Sequence, residues 1–124
     1  MGISPDLGRL ILVDDDPHVL GALKFAFEAD GYAVSTFSSG EAVLKDPPRE
    51  ANTCLVIDQR LPGLSGLDTL ARLRGLGVAA PAILITTHPS VDVQRRAKLA
   101  AVDIVEKPLL GDALPQKIAE VLAR

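Results

Sequence analysis

The sequence predicts an α/β fold: a doubly wound (βα)5 sandwich in which a five-stranded parallel sheet carries helices on both faces. Short aliphatic runs alternate with longer segments in which apolar residues recur every three or four positions. A crossover between parallel strands is right-handed, so each intervening helix lies on a face of the sheet. Sheets of five such strands commonly have the order 2-1-3-4-5, which places strands 1 and 3 side by side.

The first strand and helix have clear boundary signals. Residues 10–13 are a continuous aliphatic run that is too short for a helix, and they predict a buried strand. Asp16 is expected to cap a helix that begins at Pro17, because proline has no N–H to leave unpaired there. Gly31 is expected to end this helix in the left-handed conformation.

The remaining elements follow in order along the chain. Apolar runs predict strands at 32–37, 54–57, 82–85 and 102–105. Caps and apolar periodicity predict helices from Ser39 to Leu44, from Ser65 to Leu76, from about Pro89 to Ala100, and over 112–123. These elements fill residues 9–122, so we expect one domain over 1–124, with no output domain in this chain.

The composition excludes several classes of protein. The 13 Lys and Arg residues against 16 Asp and Glu give a net charge of −3, and 3% of residues are aromatic, so direct nucleic-acid binding is not expected. A single cysteine, Cys54, cannot form an internal disulfide or a thiolate metal cluster, which favours the reducing cytoplasm. No apolar run approaches the roughly 20 residues that cross a bilayer, so no membrane segment is expected.

Polar residues follow four of the predicted strands. Asp14 and Asp15 come after the first strand, Asp58 after the third, Thr86 after the fourth and Lys107 after the fifth. Because the carboxyl ends of parallel strands meet at one edge of the sheet, these side chains are expected to converge. Carboxylates that lie close together repel one another, and a hard divalent cation bound between them relieves that repulsion. Mg²⁺ prefers such oxygen ligands.

This combination of groups suits the transfer of a phosphoryl group to an aspartate. Asp58 would be the nucleophile, while Mg²⁺, Lys107 and Thr86 would each neutralise or hydrogen-bond one phosphoryl oxygen. An ionised carboxylate needs no general base. A turnover enzyme is not expected: phosphatases with an aspartate nucleophile use a second Asp two residues later, where this sequence has Arg60.

Four motifs together resemble the response-regulator receiver domain, the CheY-like domain of two-component signalling. They are LVDDDP at 12–17, VIDQRLPGLSG at 56–66, ILIT at 83–86 and VEKP at 105–108. The resemblance spans roughly residues 10–122. The sequence is similar to receivers of the nitrogen-fixation regulator type in two further positions. Glu106 is an acidic residue directly before the Lys-Pro pair, and His88 is a histidine two places after Thr86.

The resemblance implies a role for individual residues. Asp58 would accept phosphate from a sensor histidine kinase or a phosphotransfer protein. Asp15, Asp58 and the backbone carbonyl of Arg60 would bind Mg²⁺, with Asp14 acting mainly through water. Thr86 and Lys107 would contact the phosphoryl group. The resemblance further implies that Gly66 allows a tight turn into the third helix and that the Lys107–Pro108 peptide bond is cis.

Departures from the family pattern leave an alternative open. Ile104 occupies a position that is often Tyr or Phe, and Thr87 one that is usually Ala or Gly. With His88, these residues are candidate modulators of switching, of access to Asp58 and of phosphate lifetime. The alternative function is that of a pseudo-receiver, a scaffold that binds partners independently of phosphorylation.

The output surface is predicted only in outline. Arg95, Arg96 and Lys98 give the fourth helix a basic patch, which is either a solvated face or part of a docking surface. The resemblance implies that the fourth helix, fifth strand and fifth helix form this surface and that it can support a homodimer. The downstream protein target or output domain is unknown from the sequence.

Overall fold

A computed structural model describes residues 7–124 and confirms the predicted fold class. Five strands alternate with five helices: β1 (Arg9–Val13), α1 (Pro17–Asp30), β2 (Ala33–Phe37), α2 (Gly40–Lys45), β3 (Thr53–Asp58), α3 (Gly66–Gly75), β4 (Ala82–Thr86), α4 (Val91–Leu99), β5 (Asp103–Glu106) and α5 (Ala113–Ala123). The strands are all parallel, and their order is β2-β1-β3-β4-β5.

The core consists of two apolar layers, one on each face of the sheet. Neighbouring residues of β1 point to opposite faces, so Leu10 and Leu12 belong to one layer and Ile11 and Val13 to the other. α1 and α5 cover the first layer, and α2, α3 and α4 cover the second. All six residues of β3 are buried, which is the expected pattern for the centre of a parallel sheet.

Side-chain caps fix the starts of α1 to α4. The Asp16 carboxylate accepts the N–H groups of His18 at 2.9 Å and Val19 at 3.4 Å, as its N-cap position predicts. Gly31 ends α1 with φ 110°. The predicted start of the fourth helix at Pro89 was wrong by two residues, because Ser90 is the cap: its hydroxyl accepts the Val93 N–H at 3.1 Å.

Two strands begin one residue later than predicted. Tyr32 and Val102 were assigned to strands, but each donates its N–H to the end of the preceding helix, to Phe27 O at 3.0 Å and Ala97 O at 2.9 Å. Because each of these N–H groups already donates to a helix carbonyl, it does not donate to a neighbouring strand. β2 and β5 therefore begin at Ala33 and Asp103.

Cys54 has the structural role expected of it. The residue is fully buried in β3, and burial, with a smaller contribution from the charge of Asp103, raises the pKa of its thiol to about 12. Such a thiol is a small core side chain rather than a nucleophile. Within residues 7–124, no helix combines the length and apolar character needed to span a membrane.

We expect Gly21→Ala to stabilise the protein by about 1 kcal/mol, because glycine is a poor helix former and α1 is otherwise unaffected. A Cβ added at Gly21 meets nothing within 4 Å. Urea unfolding measures the effect. Gly31→Ala is the matched control and should destabilise, since φ 110° disfavours a side chain. Equal effects of the two substitutions would contradict this account of α1.

Candidate functional site

Three carboxylates converge at the carboxyl end of the sheet. β1 and β3 are neighbours with Val13 opposite Ile57, so Asp14 and Asp58, the next residues, lie side by side. Asp14 and Asp58 are only 6% and 5% exposed, whereas Asp15 is exposed. One carboxylate oxygen from each of the three residues lies within 4.8 Å of the other two. The structure thus brings together the three predicted acidic residues.

Lys107 contacts the two buried carboxylates from the end of β5. Its Nζ donates to Asp58 Oδ2 at 3.0 Å and lies 3.4 Å from Asp14 Oδ2. The Lys107 N–H donates to the carbonyl of Thr86 at 2.8 Å, which ties the lysine to the end of β4. The Lys107–Pro108 peptide bond is cis, as the resemblance implied.

The remaining oxygens of the buried carboxylates accept backbone N–H groups. Asp14 Oδ1 accepts the N–H of Asp16 at 2.9 Å, and Asp58 Oδ1 accepts the N–H of Arg60 at 3.3 Å. Among residues 7–124, no side-chain hydrogen bond or ion pair involves the carboxylate of Asp15, which faces solvent. Hydrogen bonds therefore orient the two buried carboxylates, whereas the carboxylate of Asp15 is exposed.

The electrostatics of the cluster reflect its burial. Burial raises the pKa of Asp58, and the neighbouring charge of Asp14 acts in the same direction, while the hydrogen bond and charge of Lys107 and the N–H of Arg60 oppose the rise. Burial works to lower the pKa of Lys107, but the hydrogen bond and charge of Asp58, with those of Asp14, outweigh it and raise that pKa. Lys107 is therefore a cation in a site where negative charge is in excess.

The other predicted site residues border a cleft beside the carboxylates. Thr86, 4% exposed, is the last residue of β4, and with Asp15, Arg60, Thr87 and His88 it lines a cleft of about 560 Å³. His88 has φ 46°, so the chain turns sharply here. Thr87 and His88, the candidate modulators, therefore share this cleft with Asp15 and Thr86.

Ile104 lies away from that cleft. It pairs with Leu84 in the β4–β5 register and packs, partly buried, against the core layer under α2, α3 and α4. The structure does not bring it together with the other candidate residues. Its direct covalent link to the site is β5 itself, which leads to Lys107 three residues later.

The predicted basic patch on α4 is smaller than the sequence indicates. Arg95 forms an ion pair with Asp92 at 2.7 Å, and Arg96 forms one with Asp68 of α3 at 2.9 Å. Lys98 is the one member of the patch without an ion pair in the described part of the chain. The pairing of Arg96 with a residue 28 positions away could not be predicted from the sequence pattern of α4.

The loop between β3 and α3 is held by residues that the sequence did not single out. The side-chain oxygen of Gln59 accepts the N–H of Leu67 at 2.9 Å, and the carboxylate of Glu41 accepts the N–H of Leu64 at 3.2 Å. Gly66 is packed against the same loop: an added Cβ would lie 2.5 Å from the carbonyl oxygen of Asp58. The phosphoacceptor candidate and the start of α3 thus form one close-packed unit.

The comparisons with known proteins agree with the fold. A family model for the response regulator receiver domain matches residues 10–119. The transcriptional regulatory protein FixJ of Bradyrhizobium diazoefficiens is 33% identical over 116 residues, covering 93% of this chain and 57% of FixJ. The response regulator protein TodT of Pseudomonas putida is 38% identical over 106 residues, 85% of this chain and 47% of TodT.

A solved structure supports the same relationship. The crystal structure of full-length FixJ from B. japonicum superposes with a TM-score of 0.82 at 32% identity, covering 94% of this chain and 58% of that chain. The chain spans about half the length of the curated relatives it matches. It belongs to the response regulator receiver domain family.

Proposed function

We propose that this chain accepts a phosphoryl group on Asp58 from a sensor histidine kinase or phosphotransfer protein in the cytoplasm. The observation that carries the proposal is the convergence of Asp14, Asp15 and Asp58 with Lys107 at the ends of β1, β3 and β5. Thr86, at the end of β4, supplies a hydroxyl at the adjoining cleft. Each of these groups has a use in phosphoryl transfer to a carboxylate.

The acidic cluster fits Mg²⁺. It offers only oxygen ligands, and three carboxylates face one ammonium group, so a divalent cation balances the excess negative charge. We propose that Asp15, Asp58 and the carbonyl of Arg60 hold the ion, with Asp14 acting through water. When bound, Mg²⁺ would supply positive charge to the oxygens of the incoming phosphoryl group.

In the proposed reaction an oxygen of Asp58 attacks the phosphorus of the donor. The new oxygen–phosphorus bond forms as the bond to the donor breaks, and the donor leaves with that electron pair. Lys107, already 3.0 Å from Asp58, moves its contact to a phosphoryl oxygen, and the hydroxyl of Thr86 donates to another. The transfer is one event per donor rather than catalytic turnover, in keeping with a signalling domain.

The proposed output is a change in the protein-interaction face, with residues 9–122 as the receiver core. We propose α4, β5 and α5 as that face, either for a homodimer or for a downstream protein or output domain. A hydrogen bond from Thr86 to the phosphoryl group is suited to start this conformational change, because β4 leads directly into the loop before α4.

The test is labelling by a small phosphodonor. We expect acetyl phosphate with Mg²⁺ to add one phosphoryl group to the protein, as measured by intact mass, and EDTA to prevent the addition. An unchanged mass in Mg²⁺, or labelling that persists in EDTA, would overturn the proposal. An unchanged mass in Mg²⁺, together with a partner complex that needs no phosphodonor, would favour the pseudo-receiver, the alternative that Ile104 and Thr87 motivate.

A further inference from the structure

The loop from residue 59 to residue 65 carries the carbonyl of Arg60, and it is anchored at its start by Gln59. The N–H of Gln59 donates to Ile85 O at 2.9 Å, and its backbone carbonyl accepts the N–H of Gly66 at 3.0 Å. Its side chain accepts the N–H of Leu67 at 2.9 Å. These bonds fix both ends of the loop to the sheet and to α3, but they leave its middle unsupported.

Glu41 supports the middle of the loop from α2, a different element of the fold. Its Oε2 accepts the N–H of Leu64 at 3.2 Å across 23 positions of sequence. The same oxygen occupies the space next to Gly63, where an added Cβ would overlap it. Gly63 has φ 75°, a left-handed conformation in which any other side chain would be strained.

The position of Glu41 is fixed by the packing of α2 on α3. A Cβ added at Gly40 would overlap the hydroxyl of Thr69, a fully buried residue of α3. The two helices therefore approach closely at the residue directly before Glu41. This contact fixes the backbone position from which the exposed side chain of Glu41 reaches the loop.

We propose that Glu41 is a positioning residue for the cation site: by holding Leu64 and Gly63 it keeps the loop in the conformation that presents the Arg60 carbonyl. This inference rests on the proposed function, because that function assigns the carbonyl to Mg²⁺. Glu41 itself does not touch the ion. Its role is to spare Mg²⁺ binding the cost of ordering the loop.

Glu41→Ala tests the inference through Mg²⁺ affinity. We expect the dissociation constant for Mg²⁺, measured by titration of backbone amide NMR signals, to rise about three- to tenfold, toward the low end of effects seen when groups that support metal ligands are lost. The amide of Leu64 should exchange its hydrogen faster in Glu41→Ala even without Mg²⁺. Glu41→Gln keeps an acceptor oxygen and should restore both values.

A charge control separates positioning from simple electrostatics. Glu28→Ala removes one surface carboxylate from α1, where Glu28 pairs with Lys24, and should leave Mg²⁺ affinity unchanged. If Glu41→Gln binds Mg²⁺ as weakly as Glu41→Ala, charge alone is responsible and the positioning role is wrong. An unaltered Leu64 exchange rate, or an unaltered dissociation constant in Glu41→Ala, would also overturn it. If the parent protein binds no Mg²⁺, both this inference and the proposed function fail.

Discussion

Asp58→Asn is expected to reduce labelling by acetyl phosphate at least about a hundredfold, because an uncharged amide is a far weaker nucleophile than a carboxylate. The substitution keeps the size of the side chain, but Asn has one acceptor oxygen where Asp58 uses two, Oδ1 for the N–H of Arg60 and Oδ2 for the ammonium of Lys107. The variant therefore loses the reacting carboxylate and one of these two hydrogen bonds. Intact mass after incubation with acetyl phosphate and Mg²⁺ measures the effect.

Asp92→Asn is the matched control for this experiment. Asp92 is an exposed residue in the first turn of α4 and pairs with Arg95 at 2.7 Å. It undergoes the same chemical change outside the cluster, so labelling should equal that of the parent. Parental labelling of Asp58→Asn would place the phosphoacceptor elsewhere, and peptide mapping of the labelled protein would then locate it.

The stability of Asp58→Asn shows whether the variant is folded. Because burial raises the pKa of Asp58, the folded protein holds its proton to higher pH than the unfolded chain does. The carboxyl group therefore lowers stability as the pH rises from its unfolded pKa to its folded pKa, and the cost remains at pH 7. Without Mg²⁺, Asp58→Asn should need at least as much urea as the parent to unfold at pH 7. If the variant is already unfolded without urea, the missing label reports unfolding rather than loss of the nucleophile.

The site could be predicted from the sequence because strand ends are readable there. An aliphatic run followed by Asp, Thr or Lys indicates a strand and the residue at its carboxyl end, and the parallel topology then brings those ends together. Asp14 and Asp58 are 44 positions apart in the chain, yet they lie side by side in the structure. The alternation of elements, together with the common strand order 2-1-3-4-5, was sufficient to predict this contact.

The residues that support the site could not be predicted in this way. Glu41 reaches a backbone N–H 23 positions away, and Arg96 pairs with Asp68 on another helix. Each is an ordinary charged residue on the exposed side of an amphipathic helix, so its pattern indicates only solvent exposure. Element boundaries were missed for a related reason: the N–H groups of Tyr32 and Val102 bond to helix ends, and no local sequence signal distinguishes this from pairing in the sheet.

Gly66→Ala is expected to destabilise the protein by about 3 kcal/mol and to impair labelling, because the loop that follows Asp58 leaves no room for a methyl group. An added Cβ would lie 2.5 Å from the carbonyl oxygen of Asp58, 2.9 Å from Gln59 Cα and 2.9 Å from Leu84 Cδ1. Two of these atoms are backbone, so relief requires the loop to move. That movement would displace Asp58 itself.

Gly75→Ala is the control, since Gly75 lies in the same helix and its added Cβ meets nothing within 4 Å. It should be neutral or stabilising by less than about 1 kcal/mol, the gain in helix propensity. Urea unfolding at equal m-value and the labelling rate with acetyl phosphate are the two measurements. If Gly66→Ala matches Gly75→Ala in both, the turn into α3 is not the close contact that fixes Asp58. A loss of labelling in Gly66→Ala under conditions where the variant is still folded would show that this glycine acts on the geometry of the site as well as on the stability of the fold.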